Sequence, residues 1–243
     1  MRYTYENPFI RHECQQFDIP EAPLATHILE TYGQCNEDLL VESLLRALMH
    51  QAGRSMESVR YLEIGANHPI QTSSTYLLYR IYGARGILVE AVPRLAETLR
   101  KVRPRDLVVN RAITVSDQST VIFHIHEKNE LSSVSLENIS RFRDFGGTEK
   151  ILESIVCANL HINAFLEKYV QGPIDYLSID IEGLDAEVLE AMDPEFKPNL
   201  IQCEHAGQVE RFNRLLAGRD YKLIGITDVN AIFARNRLFG GPQ

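Results

Sequence analysis

The sequence predicts an α/β fold: an open, mostly parallel sheet of seven strands, helices on both faces, and an antiparallel hairpin at the C-terminal end. Three observations carry that expectation. From residue 59 onward, short runs that are apolar at successive positions alternate with helix-like segments. Such runs mark strands covered on both faces and joined by crossover helices. The parallel runs close one after another on polar or acidic residues, and the last two runs are separated only by Asp228-Val229-Asn230, a hairpin-length turn.

Taken in order, residues 1–34 are polar, carry Pro8, Pro20 and Pro23, and read as an arm with little regular structure. Residues 36–53 read as a helix, with Leu40, Val41, Leu44, Leu45, Leu48 and Met49 in helical rhythm, Asn36 as the expected cap and Gly53 as the stop. The stripe Leu40, Leu44, Leu45 and Leu48 is read as core packing. Strands are expected at VRYLEI (59–64), GILVE (86–90), DLVVN (106–110), IDYLSID (174–180) and NLIQCE (199–204), then YKLIGIT (221–227) and AIFARN (231–236). Helices are expected between them at 72–83, 93–102, 184–192 and 208–218. TVIFHIHE (120–127) alternates and reads as half exposed. The division expected is 1–55, an arm and helix packing on the cofactor side, and 56–243, the main domain.

Composition narrows the partners. A chain of 243 residues is long enough for a sizeable core. Its net charge of −8 argues against nucleic acid or an anionic membrane as partner. The four cysteines, at 14, 35, 157 and 203, form no CxxC pair and no zinc spacing, which favours a cytoplasmic setting with reduced thiols. No signal pattern and no membrane-length apolar run is seen, so no membrane insertion is expected. Asn138-Ile139-Ser140 matches a glycosylation sequon by pattern only. An oligomer is compatible with all of this.

In an open parallel sheet, ligands sit at the carboxyl ends of the strands. Here those ends offer Glu63, Gly65 and Asn67, then Glu90, then Asn110 and Ala112, then Asp180 and Glu182, and last Glu204 and His205. Glu90, closing the second strand, stands where a carboxylate can accept both ribose hydroxyls of an adenosine cofactor. Gly65 lets the backbone turn tightly beside a ligand. The second and third glycines of a diphosphate-binding turn are missing, and Glu63 would repel a pyrophosphate facing it. S-adenosylmethionine fits that pattern: it has a sulfonium, an amino group and a ribose, and no phosphate.

The segments YGQCNEDLLVESLL, GANHPIQTSSTYLLYRIYGARGILVEAVP, RPRDLVVNRAI, LSSVS, DYLSIDIEGLDAEVLEAM and LIQCE, in this order, resemble the FkbM-type methyltransferases over roughly residues 32–205. The resemblance implies a class I methyltransferase (Rossmann-like) fold, S-adenosyl-L-methionine as cofactor, and O-methylation of a hydroxyl on a sugar-containing or natural-product acceptor. It matches Glu63, Gly65 and Asn67 to the cofactor turn, Glu90 with Ala91 to the ribose side, and Ala112 to the adenine side. Gln34 and Asp38 match the upstream motif and could fold over the cofactor. Asp180, Glu182 and Gly183 match the family's D-x-E-G signature, and Glu204 the acidic end of the fifth strand. Two departures stand out: Glu63 replaces a common Asp, and the second strand continues VEAVP, which leaves the aim of Glu90 open.

A hydroxyl is a poor acid and needs a base or a metal ion. The catalytic candidates are Asp180, Glu182 and His205. In one version His205 or Asp180 takes the proton directly; in the other, Asp180 and Glu204 hold a divalent cation, Mg²⁺ or Ca²⁺. The direct base is preferred, since the signature alone establishes no metal. His68 is read as structural, and His124 and His126 as a solvated face. The region 127–158 is long for a connection and suggests a lid or acceptor pocket, where Arg141 and Arg143 could meet an anionic acceptor. Two rivals remain: an NAD-dependent Rossmann oxidoreductase, and a non-catalytic ligand-binding member of the same fold.

Overall fold

The computed structural model describes residues 2–5, 27–127, 132–136, 139 and 150–239. Its centre is a seven-stranded sheet built from β3 (Arg60–Ile64), β4 (Arg85–Val89), β5 (Leu107–Val109), β9 (Tyr176–Ile179), β10 (Leu200–Glu204), β11 (Tyr221–Ile226) and β12 (Asn230–Arg235). The spatial order is β11-β12-β10-β9-β3-β4-β5. Neighbours from β10 through β5 run parallel. β12 runs antiparallel to both β10 and β11, so the C-terminal hairpin inserts its second strand next to β10. The order reverses between β3 and β9, and that switch point opens a crevice at the strand tips.

Among the described residues, six α-helices cover the two faces. On one face α1 (Glu37–Gln51), α2 (Tyr76–Tyr82) and α3 (Pro93–Val102) bury Val41, Leu45, Leu78 and Leu99 against Tyr61, Leu88, Val108 and Tyr176. On the other, α4 (Ile162–Tyr169), α5 (Asp185–Ala191) and α6 (Val209–Ala217) bury Phe165, Leu189 and Phe212 against Leu62, Ile64, Val89 and Ile179. Successive strand residues therefore feed opposite cores, which is why the strands read as continuously apolar.

Several expectations need correction. The face that α1 buries is Val41, Leu45 and Met49, while Leu40 is exposed, so the stripe lies one residue from where the leucines alone suggest. Asn36 precedes that helix in a left-handed conformation, φ 63°, and makes no side-chain cap. The first-turn acids instead reach back to the incoming loop, Glu37 accepting from Gln34 N and Cys35 N and Asp38 from Tyr32 N, while Asp38 also accepts from Leu39 N within the helix. In the arm, β1 (Arg2–Tyr5) and β2 (His27–Glu30) pair antiparallel, so it does hold regular structure.

A second sheet, in the order β6-β8-β7, comes from β6 (Ala112–Thr114), β7 (Thr120–His126) and β8 (Ile151–His161). β8 takes up the end of the supposed insertion; its first half, Ile151–Val156, is apolar apart from Glu153 and Ser154 but mostly exposed, so no alternation of buried and exposed positions marks it in the sequence. His126 on β7 is only 1 % exposed, which overturns the solvated-face reading for that residue. Arg141, Arg143, Asn138 and Cys14 lie outside the described residues. No helix among the described residues is long and apolar enough to cross a membrane.

Candidate active site

A cavity of about 380 Å³ opens at the tips of β3, β4, β9 and β10, at the small end of the range of small-molecule sites. Gln34, Gly65, Asn67, Glu90, Ala91, Ala112, Asp180, Glu182 and Glu204 all reach its wall. Glu63, Asp38 and His205 do not.

Gly65 turns the chain out of β3 at φ 86°, and its N–H together with that of Ala66 donates to the Val89 carbonyl at 2.9 Å. Glu90 sits just past β4, 5 % exposed. Its Oε2 accepts from Asn67 N at 2.8 Å and its Oε1 from Val92 N at 2.7 Å. Those two bonds settle the aim that the VEAVP sequence leaves open, and each carboxylate oxygen keeps a further lone pair for a ligand. Burial pushes the Glu90 carboxyl up to about 7, against the downward pull of the backbone donors. The Asn110 side chain donates to the Glu90 and Ala91 carbonyls and locks the wall next to Ala112.

Glu63 is a correction. The pleat that sends Leu62 and Ile64 to one core sends Tyr61 and Glu63 to the other, beneath the start of α2. There its carboxylate accepts from Ser74 N at 3.0 Å and from the Ser73 and Thr75 hydroxyls. Arg103, fully buried, lies 3.5 Å from it and also bonds Ser73, Thr75, Tyr61 and Asp106. Glu63 thus anchors the far end of the loop that carries Asn67 and Thr72 into the wall.

Asp38 likewise serves the fold, tying Thr31 and Tyr32 to α1. His205 is buried, with Nδ1 accepting from Gly207 N at 2.9 Å and Nε2 facing the Thr227 carbonyl at 3.2 Å, so both nitrogens are engaged away from the cavity. His68 accepts from Ile70 N and Gln71 N and shapes the same loop.

Asp180, Glu182 and Glu204 converge: one ligand atom from each lies within 4.8 Å of the others. Glu182 gets there through a left-handed backbone, φ 52°, followed by Gly183 at φ 97°. Asp180 Oδ1 is buried with no hydrogen-bond partner among the described residues. Burial first, and then the Glu204, Asp185 and Glu63 charges, push the Asp180 carboxyl well above the usual range. Burial and Asp185 raise Glu204 to about 7. No side chain among the described residues caps α5, whose N-cap is Leu184; Asp185 in its first turn reaches back and accepts from Ile181 N and Gly183 N, fixing the loop that carries Glu182.

Four residues of the site escape a strand-tip reading. Asp185 is one, though an acid in the first turn after D-x-E-G is its signal. Ser133 donates to the Glu182 carbonyl at 2.7 Å and pins the LSSVS segment, whose Ser132 and Val134 line the cavity. Phe123 enters from the second sheet, and Arg111 is the one cation on the described wall.

The protein-family model described as methyltransferase FkbM domain matches residues 63–224. None of the curated protein sequences compared with the chain matches it. Among solved structures, the N-terminal domain of human METTL16 in complex with SAH is 12 % identical, with TM-score 0.44, covering 91 % of this chain and 76 % of that one. Magnesium protoporphyrin IX methyltransferase from Synechocystis PCC 6803 with bound SAH is 8 % identical, with TM-score 0.41 and 95 % of each chain covered. The SAH-bound Podospora anserina methyltransferase PaMTH1 is 11 % identical, with TM-score 0.40, covering 96 % and 89 %. At these scores the structural likenesses bear no weight. With a match across well over half of its length, the chain belongs to the methyltransferase FkbM domain family.

Proposed function

We propose that this protein transfers a methyl group from S-adenosylmethionine to a hydroxyl oxygen of a sugar-containing or natural-product acceptor. The observation that supports it most is the pairing of Gly65 with Glu90. One offers close backbone approach, the other a buried carboxylate fixed by two backbone N–H groups with lone pairs left for ribose hydroxyls. The charge of the described wall points the same way: Glu90, Asp180, Glu182 and Glu204 stand there against Arg111. That wall suits a cationic donor and disfavours a dinucleotide with its diphosphate, which weakens the NAD-dependent rival.

The bound donor would supply an electrophilic methyl on a positively charged sulfur. The chain's part is to hold the acceptor oxygen in line with the carbon–sulfur bond and to take its proton. The cavity would hold the donor so that its sulfur, leaving as a neutral thioether, lies opposite the acceptor oxygen that gains the methyl. The proton passes to Asp180 or Glu204, whose raised affinity for it suits a base working near neutral pH. Residues 1–55 close the cofactor side in this reading, with Gln34 at the cavity wall. The reading also makes the acceptor a small molecule or glycan met in a cytoplasm.

Calorimetric titration with S-adenosylmethionine and with NAD tests the donor, and mass spectrometry of acceptor pools tests the transfer. Heat from NAD alone would sink the proposal. Donor binding without any methylated product would leave the non-catalytic rival.

A further inference from the structure

We infer that Asp180, Glu182 and Glu204 form a binding site for a hard divalent cation beside the position of the transferred methyl. The inference rests on the donor-site reading of the same cavity. Three carboxylates from two strand tips, with ligand atoms inside 4.8 Å, supply oxygen donors only, the set that Mg²⁺, Mn²⁺ and Ca²⁺ prefer over softer metals. A second observation is independent of that clustering: Asp180 lines the cavity, and its Oδ1 is buried with no hydrogen-bond partner among the described residues. A buried polar oxygen left without a donor is costly, and a cation removes that cost.

Charge decides between a divalent ion and an ammonium group. Fully ionised, the three side chains carry −3 at the edge of a buried crevice. A lone ammonium would leave −2 there, whereas a divalent ion leaves −1 and still has coordination positions for acceptor oxygens, whose pKa it would lower in place of the direct carboxylate base described above. Arg111, the one arginine on the described wall, spends a guanidinium nitrogen on the Asn110 carbonyl at 2.8 Å. Glu182 is the member that a strand-tip reading would not assign to a metal, because the left-handed turn at φ 52° brings it in from the loop. The acceptor class that follows is one with two neighbouring oxygens, such as a vicinal diol of a sugar.

The test titrates Mn²⁺ alone into the whole chain, read by calorimetry and by loss of the free-ion paramagnetic signal, with donor binding measured on the same sample. One Mn²⁺ per chain is expected. Glu182→Gln and Glu204→Gln should each weaken it at least about tenfold, and Glu210→Gln, exposed in the first turn of α6, should not change it. Thermal melting shows whether each variant is folded; should one fail to fold, the other carries the comparison. Displacement of Mn²⁺ by millimolar Mg²⁺ or Ca²⁺ supports the site and tells which ionic radius it takes. Absence of Mn²⁺ binding in a chain that still binds the donor overturns this inference and leaves the proposed function standing. Equal Mn²⁺ affinity in all variants overturns it as well.

Discussion

A Cβ placed on Gly65 would lie 1.7 Å from the Asp180 carbonyl oxygen. The tips of β3 and β9 are therefore in backbone contact at the switch point, and the cofactor turn cannot move without moving the acidic group. Gly65→Ala meets backbone rather than a yielding side chain, and it must also hold φ 86°, a conformation costing ~1–2 kcal/mol for an L-residue. Donor binding should fall below detection by calorimetry, with a lower melting temperature. Retained affinity would mean that the turn is not the donor's seat.

Glu90→Gln puts an NH₂ group against one of two backbone N–H donors and removes the charge. Hydrogen bonds to a charged group contribute about 1.5–3 kcal/mol. The KM for the donor should rise roughly 10- to 150-fold, with a smaller change in kcat. Steady-state kinetics at varied donor concentration checks it.

The free protein should lose stability as pH rises through about 4 to 7. Glu90 and Glu204 are raised to about 7 and Asp185 to about 6 in the fold, so the native state holds protons that the unfolded chain has already released. Stability is greatest below the unfolded carboxylate pKa and declines as pH climbs to the folded values. The total effect is on the order of a few kcal/mol. Melting at pH 5 and pH 8 tests this; a higher melting temperature at pH 8 would contradict it.

Arg103→Leu should be severely destabilising. It leaves Glu63 and Asp106 buried without their cation, a loss of about 3–5 kcal/mol. Urea unfolding measures it directly.

His205→Ala should keep most of its turnover. The ring is bonded to Gly207 and Thr227 and does not reach the cavity wall. The expected cost is stability alone, about 1 kcal/mol from lost hydrogen bonds. A hundredfold loss of kcat with unchanged melting would show that the histidine reaches the acceptor after all.

The parallel sheet, its hairpin and the acidic part of the cavity wall were legible in the chain, because each depends on local pattern. Continuous apolar runs mark strands covered on both faces, and the residue after such a run must stand at a strand tip. That logic places Gly65, Glu90, Asp180 and Glu204 around one crevice. It is weaker for β8, whose apolar first half is mostly exposed rather than buried on alternate positions, and blind to Ser133, which meets Glu182 only through the second sheet.

Which way a tip residue faces was decided by the tertiary structure. Glu63 stands one residue before Ile64, and the pleat turns it under α2 toward Arg103, a partner 40 positions away. His205 follows Glu204 directly, yet the turn after β10 binds its ring to the hairpin. Strand tips are local properties of the chain, whereas side-chain direction and partner depend on which distant groups the packed layers bring within hydrogen-bond reach.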